Sequence, residues 1–421
     1  MKRTILSVAV FCALSLSFAV PSPLTITTSE KPVTNGWADM GDTHYATKNV
    51  IVIDDAAYPT ADKKLTAFKN AIASGSVKSS TLNDTPALII VCGTVDLSGG
   101  KVSDSDHSYF DKFDPSTHKR VNKDFMYDIG ANKTIIGASD AKVAYGGLRI
   151  KAREEFIAKN VIIRNISFWD AHGSTEYDTS VPQYAGKKAS ADQLVIEGIE
   201  DKTTKARYLF LPENIWIDHC SFSDGVCVDL DRNYNHDGAL DIKCAKNVTV
   251  SYCEFTNHDK VTLSGSSDKF ITPDEREVTF HNNYYHGCVQ RMPRTRGGYF
   301  HLYNNVFEDI GTKKNSGASL GPGVGAQFIV ENNFFGKHAG KILRANDSSE
   351  KGTPSFYKIY ANGNSPELSA SNTEGFTAHK LSEKPWKVPY KYSLKSADEA
   401  KQTVVTEAGS GASVLLDGKN L

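Results

Sequence analysis

Acidic and basic side chains fall in a few short clusters along this chain. The acidic set comprises Asp192, in the run Ala189-Ser-Ala-Asp ahead of Leu194-Val-Ile, together with Asp237 and Asp241 in Asp237-Gly-Ala-Leu-Asp-Ile. Asp229 and Asp231 lie just upstream. Carboxylates gathered at loop edges supply the flexible oxygen donors that a hard divalent cation takes, although no EF-hand loop is present and solvated loop aspartates would look the same. The basic set is Arg291-Met-Pro-Arg-Thr-Arg296-Gly-Gly, with Lys260 earlier in His258-Asp-Lys-Val-Thr-Leu-Ser-Gly. Guanidinium forks match carboxylates in shape and charge. Acids on one segment facing Lys and Arg on the next two would hold a carboxylated ligand through a bridging metal. The plainer alternative is a surface ion-pair network between these arginines and the acidic loops.

Such clusters need a scaffold, and the scaffold is legible as an internal repeat. Seven short β-branched or aromatic segments begin at Asn132, Asn160, Asn214, Asn247, Glu277, Tyr299 and Gln327, separated by 28, 54, 33, 30, 22 and 28 residues. The gap of 54 reads as two turns, or as one turn with a long insertion. Short strands at this period, without helical stretches between them, point to a solenoid whose coils bury side chains against their neighbours. Val278 with Phe280, and Phe300 with Leu302, alternate as interior positions would. Asn282-Asn283, Asn304-Asn305 and Asn332-Asn333 follow strands, where Asn tolerates left-handed bends and can hydrogen-bond from coil to coil. The segment 62–74, with Leu65, Phe68, Ala71 and Ile72 at helical spacing, predicts an amphipathic cap over the first coil. Beyond about residue 365 the repeat stops, and the tail reads as extended chain packed on the outside.

Composition limits the partners. Lys2 and Arg3, an apolar run over residues 5–20 and Ser17-Phe-Ala form a secretory leader over residues 1–19, too short to span a bilayer. Residues 20–421 read as one domain. Without the leader, 46 basic residues face 49 acidic ones, a formal charge of −3, which argues against nucleic acid as a partner. The expectation is a secreted, monomeric protein with no membrane contact. Six cysteines remain after the leader: Cys92, Cys220, Cys227, Cys244, Cys253 and Cys288. An exported chain permits disulfides, while cysteines inside apolar runs suit buried thiols.

At this point the residues match a known family. The pieces Gly146-Gly-Leu-Arg-Ile, Val161-Ile-Ile-Arg-Asn-Ile, Ile215-Trp-Ile-Asp-His, Asp237-Gly-Ala-Leu-Asp-Ile-Lys, His258-Asp-Lys-Val-Thr-Leu-Ser-Gly and Arg291-Met-Pro-Arg-Thr-Arg occur in order. Over residues 85–415 the chain resembles extracellular pectate lyases of the first polysaccharide-lyase family. The resemblance implies an all-β, single-stranded, right-handed parallel β-helix that cleaves α-1,4-linked polygalacturonate by β-elimination. It implies a Ca2+ site on Asp192, Asp237 and Asp241, a catalytic base at Arg291, and Lys260 and Arg296 as substrate-binding residues. Trp216, Asp218 and His219 read as structural. Ser190 stands where some members carry a further Asp, and the long segment 171–188 would reshape the cleft. Two rivals remain: a calcium-independent pectin lyase acting on methyl-esterified chains, and a non-catalytic β-helix that binds uronates. Retention of the acids, Arg291 and Lys260 weighs against both.

Overall fold

A computed structural model describes residues 21–40, 49–73, 85–153, 158–173, 176–185, 191–204, 206–226, 235–269, 271–345 and 357–421. The leader 1–19, Ser190, Asp229, Asp231 and Cys227 lie outside the described residues. The seven repeat segments become consecutive members of one parallel ten-stranded sheet, which runs from Val50–Ile53 to Lys358–Asn362 in chain order. Lys159–Arg164 pairs directly with Glu213–Asp218, so the long gap is one turn carrying an insertion. An eight-stranded parallel sheet follows the same coil order. The third wall is broken into pieces of four, two and three strands. The fold is a parallel β-helix.

Each bend has a residue that suits it. Asn132, Asn160, Asn214 and Asn247 open their strands at φ between 54° and 56°, a left-handed region that Asn enters more readily than most residues. Asn283, Asn305, Asn333 and Asn364 form a buried ladder. Asn305 Nδ2 donates to Asn333 Oδ1 at 2.9 Å and to Phe280 O at 2.9 Å, while its Oδ1 accepts from Asn283. Losing one such buried group strands its partners, at about 1–3 kcal/mol each. Inside the coils Phe168, Phe222, Phe255, Tyr285, Phe307 and Phe335 stack with centroids 4.8–4.9 Å apart, which is the spacing between neighbouring strands. Val278, Phe280, Phe300 and Leu302 are all in this core, as their alternation predicts.

The first coil is covered. The helix Ala61–Ile72 is capped by the Thr60 side chain and lays Leu65, Phe68, Ala71 and Ile72 onto the first coil. Leu24–Ile26 pairs with Val414–Leu416, tying the two ends of the chain together along the outside. The tail is not extended throughout: Ala397–Glu407 is a helix with a complete Ser396–Glu399 capping box. Its short apolar stripe, with Val404 and Ala408 against Val306, is too sparse to stand out by periodicity. Cys92, Cys220, Cys244, Cys253 and Cys288 are free thiols, and burial pushes Cys253 well up. Among the described residues no helix is long and apolar enough to cross a membrane.

Candidate active site

The broken third wall is where the acidic and basic clusters meet. Leu194–Glu197 pairs with Leu240–Ile242, so Val195 lies beside Asp241. On the following coils Gly238 bridges to Lys260, Lys260 to Gln290 and Gln290 to Ala318. One register line therefore carries Asp237 beside Gly238, then Lys260, then Arg291 beside Gln290. After Ile242 a side chain takes over part of the ladder: the Leu263 N–H donates to Asp241 Oδ1 at 2.9 Å.

Asp192 and Asp241 are both buried. Their carboxylates converge over Gly238, whose N–H donates to Asp192 Oδ1 at 2.8 Å. A Cβ there would sit 2.5 Å from Asp241 Oδ1 and 2.9 Å from Asp192 Oδ1. Only a glycine leaves both oxygens room. Burial, reinforced by Asp241 and Asp237, raises Asp192 well above the usual carboxylate range. Burial likewise pushes Asp241 up to about 6, against the Leu263 hydrogen bond and with the Asp237 charge adding to it. Asp237 is the more open of the three and is ion-paired with the Lys260 ammonium. An all-oxygen donor set, buried and under mutual repulsion, fits a hard divalent cation of the Ca2+ type.

Across from the acids, Arg291 lies close enough to lower the Asp241 carboxyl. It is the sole arginine among the described residues with positive φ, at 67°. Hydrogen bonds to neighbouring coils hold it there: Thr262 N–H to Arg291 O at 2.7 Å, and Met292 N–H to Ser319 O at 2.7 Å. Its Nε is buried with no hydrogen-bond partner. Backbone strain and an unpaired donor on one charged residue are typical of functional positions. Arg296 is ion-paired with Asp268 and donates to Gly265 O at 3.0 Å. Lys260 is thus ion-paired with the acidic loop and Arg296 with Asp268, while the Arg291 Nε has no partner.

Sequence reasoning gave Arg294 no role. It alternates with Arg296 along Arg294–Thr295, so both face outward, and its Nε is also buried without a partner. Burial, with Arg296 and Arg291 adding to it, pulls its guanidinium down to about 10. Arg291, Arg294 and Arg344 line a cavity of about 90 Å³. The spacing Arg-x-x-Arg-x-Arg was the available signal. Trp216 and Asp218 lie in the ten-stranded sheet, not the broken wall, and His219 follows at the bend. Asp218 is buried and accepts from Arg164 Nη2, His219 Nδ1 and Ser251 Oγ at 2.5–2.7 Å. Arg164 covers the Trp216 ring at 4.5 Å. That is a coil-to-coil brace.

Comparison with known proteins places this arrangement. Over 404 residues the chain is 32% identical to pectate lyase E of Dickeya chrysanthemi, covering 90% of each. It is 36% identical over 259 residues to a pectate trisaccharide-lyase of Thermotoga sp. (strain RQ2), a match spanning 56% of this chain and 61% of that protein's length. The solved structure of a thermostable pectate lyase superimposes with a TM-score of 0.62 at 26% identity, covering 91% of this chain and 99% of that one. A family described as pectate lyase matches residues 26–413. With the β-helix, the acids over Gly238 and the arginine run all inside that matched span, the chain belongs to the pectate lyase family.

Proposed function

We propose that this protein is a secreted pectate lyase that cleaves α-1,4-linked polygalacturonate by calcium-assisted β-elimination, leaving 4,5-unsaturated oligogalacturonides. The observation that carries the reading is the pairing of two buried, converging carboxylates with an unpaired, strained arginine across the same cleft. Asp192, Asp237 and Asp241 would hold Ca2+. When bound, the ion would neutralise the uronate carboxylate and make the adjacent C–H more acidic. The protein's own side chains do the rest. Arg291 takes the proton from the carbon bearing the uronate carboxylate, the electron pair left behind closes a double bond to the neighbouring carbon, and the glycosidic oxygen leaves that carbon and takes a proton from solvent. A guanidinium is a poor base in water. Arg294, whose own guanidinium is pulled down by burial and by the Arg296 and Arg291 charges, lies close by. Lys260, ion-paired with Asp237 beside the cleft, would offer its ammonium to the uronate carboxylate. Arg296, held by Asp268 and Gly265, presents its remaining donors to the substrate. The leader 1–19 would direct export.

The test is incubation with polygalacturonate, with and without calcium, reading ultraviolet-absorbing unsaturated product. Product that needs calcium and vanishes in excess chelator supports the reading. Cleavage of methyl-esterified pectin that ignores chelator would replace it with the pectin-lyase reading, and binding of uronate without product would leave a non-catalytic β-helix.

A further inference from the structure

A second cluster of ligand-type side chains lies outside the acid and arginine groups. Asp170, fully buried after Ser167–Trp169, is surrounded by three imidazoles. His107 Nε2 donates to its Oδ2 at 2.8 Å, and His236 Nε2 to its Oδ1 at 2.8 Å. His172 Nδ1 approaches Oδ1 to only 3.5 Å and has no hydrogen-bond partner, although the residue is 7% exposed. The His107 and His172 rings stack at 3.9 Å, and His236 meets His172 edge-on at 5.4 Å. His107, Asp170 and His172 each offer one ligand atom, all within 4.8 Å of one another.

Ordinary structural needs do not account for this group. Two N–H donors already serve this carboxylate, and His172 Nδ1 adds no third. A third buried imidazole facing the same oxygen gains no hydrogen bond and costs desolvation. Burial lowers the His172 imidazole below its usual range, so the ring is neutral, the form that binds metals. Burial would raise Asp170, yet the surrounding histidines outweigh it and hold the carboxyl well below the usual range. Two imidazoles beside a fixed carboxylate are the donor set of a borderline transition ion; calcium prefers oxygen alone.

We propose that His107, Asp170 and His172 form a binding site for a divalent transition metal of the zinc class, distinct from the three-aspartate group. His236 holds the far oxygen of Asp170, as outer partners of metal ligands do. His107, 14% exposed at its side chain, gives the ion a way in. Uptake replaces the hydrogen bond that His107 Nε2 now makes to Asp170. The site also reaches the acidic cleft. His236 is chain neighbour to Asp237, and Asp224 lies 3.8 Å from His236 Nδ1. Asp224 also pairs with His258, whose Nε2 donates to Asp237 O at 2.8 Å. A metal there clamps the loop that presents Asp237.

The test is calorimetric titration of untagged full-length protein with Zn2+ in saturating Ca2+, alongside Co2+ monitored by visible absorption. One equivalent of zinc and a low-symmetry cobalt spectrum are expected. His172→Gln should weaken zinc at least ~10-fold, the lower end seen for lost metal-site partners, whereas Asp237→Asn should leave it unchanged. If His172→Gln folds poorly, His107→Gln at the more exposed position takes its place, with the wild-type cobalt spectrum as the independent readout. No saturable zinc binding, or binding that Asp237→Asn removes and the histidine variants spare, overturns the proposal. Either result leaves the calcium-assisted lyase reading untouched, since calcium is saturating throughout.

Discussion

Asp241 offers a substitution expected to stabilise the calcium-free protein while destroying its activity. The carboxyl is buried and sits at about 6 in the fold against an ordinary 3.8. The native state therefore holds this proton more tightly than the unfolded chain does. Between those two values the unfolded chain ionises first, so native stability falls as pH rises, and the loss is complete above the folded value. A shift of about 2 units at about 1.4 kcal/mol each places the loss near 3 kcal/mol. Asp241→Asn removes the charge, keeps an oxygen for the Leu263 N–H, and can turn its amide toward Asp192. In chelator at pH 8 the variant should be more stable than wild type by up to about 3 kcal/mol in urea unfolding followed by far-ultraviolet circular dichroism. At pH 4 the two should nearly coincide. In excess calcium the order should reverse, because at 1,000 times its dissociation constant a ligand adds about 4.1 kcal/mol to the form that binds it. Turnover of polygalacturonate by the variant should be lost at any calcium level. A variant less stable than wild type in chelator at pH 8 would refute the reasoning, since burial, with the Asp237 charge adding to it, would then not be penalising the Asp241 carboxylate in the fold.

Two further substitutions separate the cleft's parts. Arg291→Lys keeps the charge but moves the nitrogen from a backbone held at φ 67°; turnover should fall ~100-fold or more, the usual scale of acid–base contributions, with KM little changed, and near-normal turnover would assign the base to another residue. Gly238→Ala puts a methyl group 2.5 Å from Asp241 Oδ1; overpacking of this kind costs about 1–3 kcal/mol, so the calcium giving half-maximal activity should rise roughly 5- to 150-fold with the β-sheet spectrum intact, and an unchanged calcium requirement would mean that the two carboxylates do not act together.

The β-helix was legible because its rules are local. Asn132, Asn160, Asn214 and Asn247 mark bends by a backbone preference that belongs to the residue itself, and Val278 with Phe280 shows its inward face by alternation alone. The insertion after Arg164 was ambiguous because strand pairing across it is a long-range fact: only the direct contact of Ile163 with Ile217 decides between one turn and two. The helix Ala397–Glu407 escaped notice because its stability comes from a capping box and a small docked stripe rather than from a broad apolar face.

The two side-chain clusters differ in legibility for the same reason. Asp237, Lys260 and Arg291 are separated in sequence by close to one coil each, so a repeat read from sequence already stacks them, and the bridges through Gly238, Lys260 and Gln290 follow that spacing. Their pairings do not follow from it. Lys260 with Asp237 and Arg296 with Asp268 depend on side-chain reach across the broken wall, and Arg294 matters because both of those cations find partners while its own Nε does not. The histidine cluster obeys no repeat at all. His107 comes from the segment before the short 3-10 turn Ser108–Phe110, Asp170 and His172 from the end of a strand, and His236 from the loop ahead of Leu240–Ile242. Coil stacking carries Asp170, but the remaining members arrive on loops, whose paths are set by packing rather than by period. A solenoid exposes in its sequence what each coil repeats, and hides what its loops bring together once.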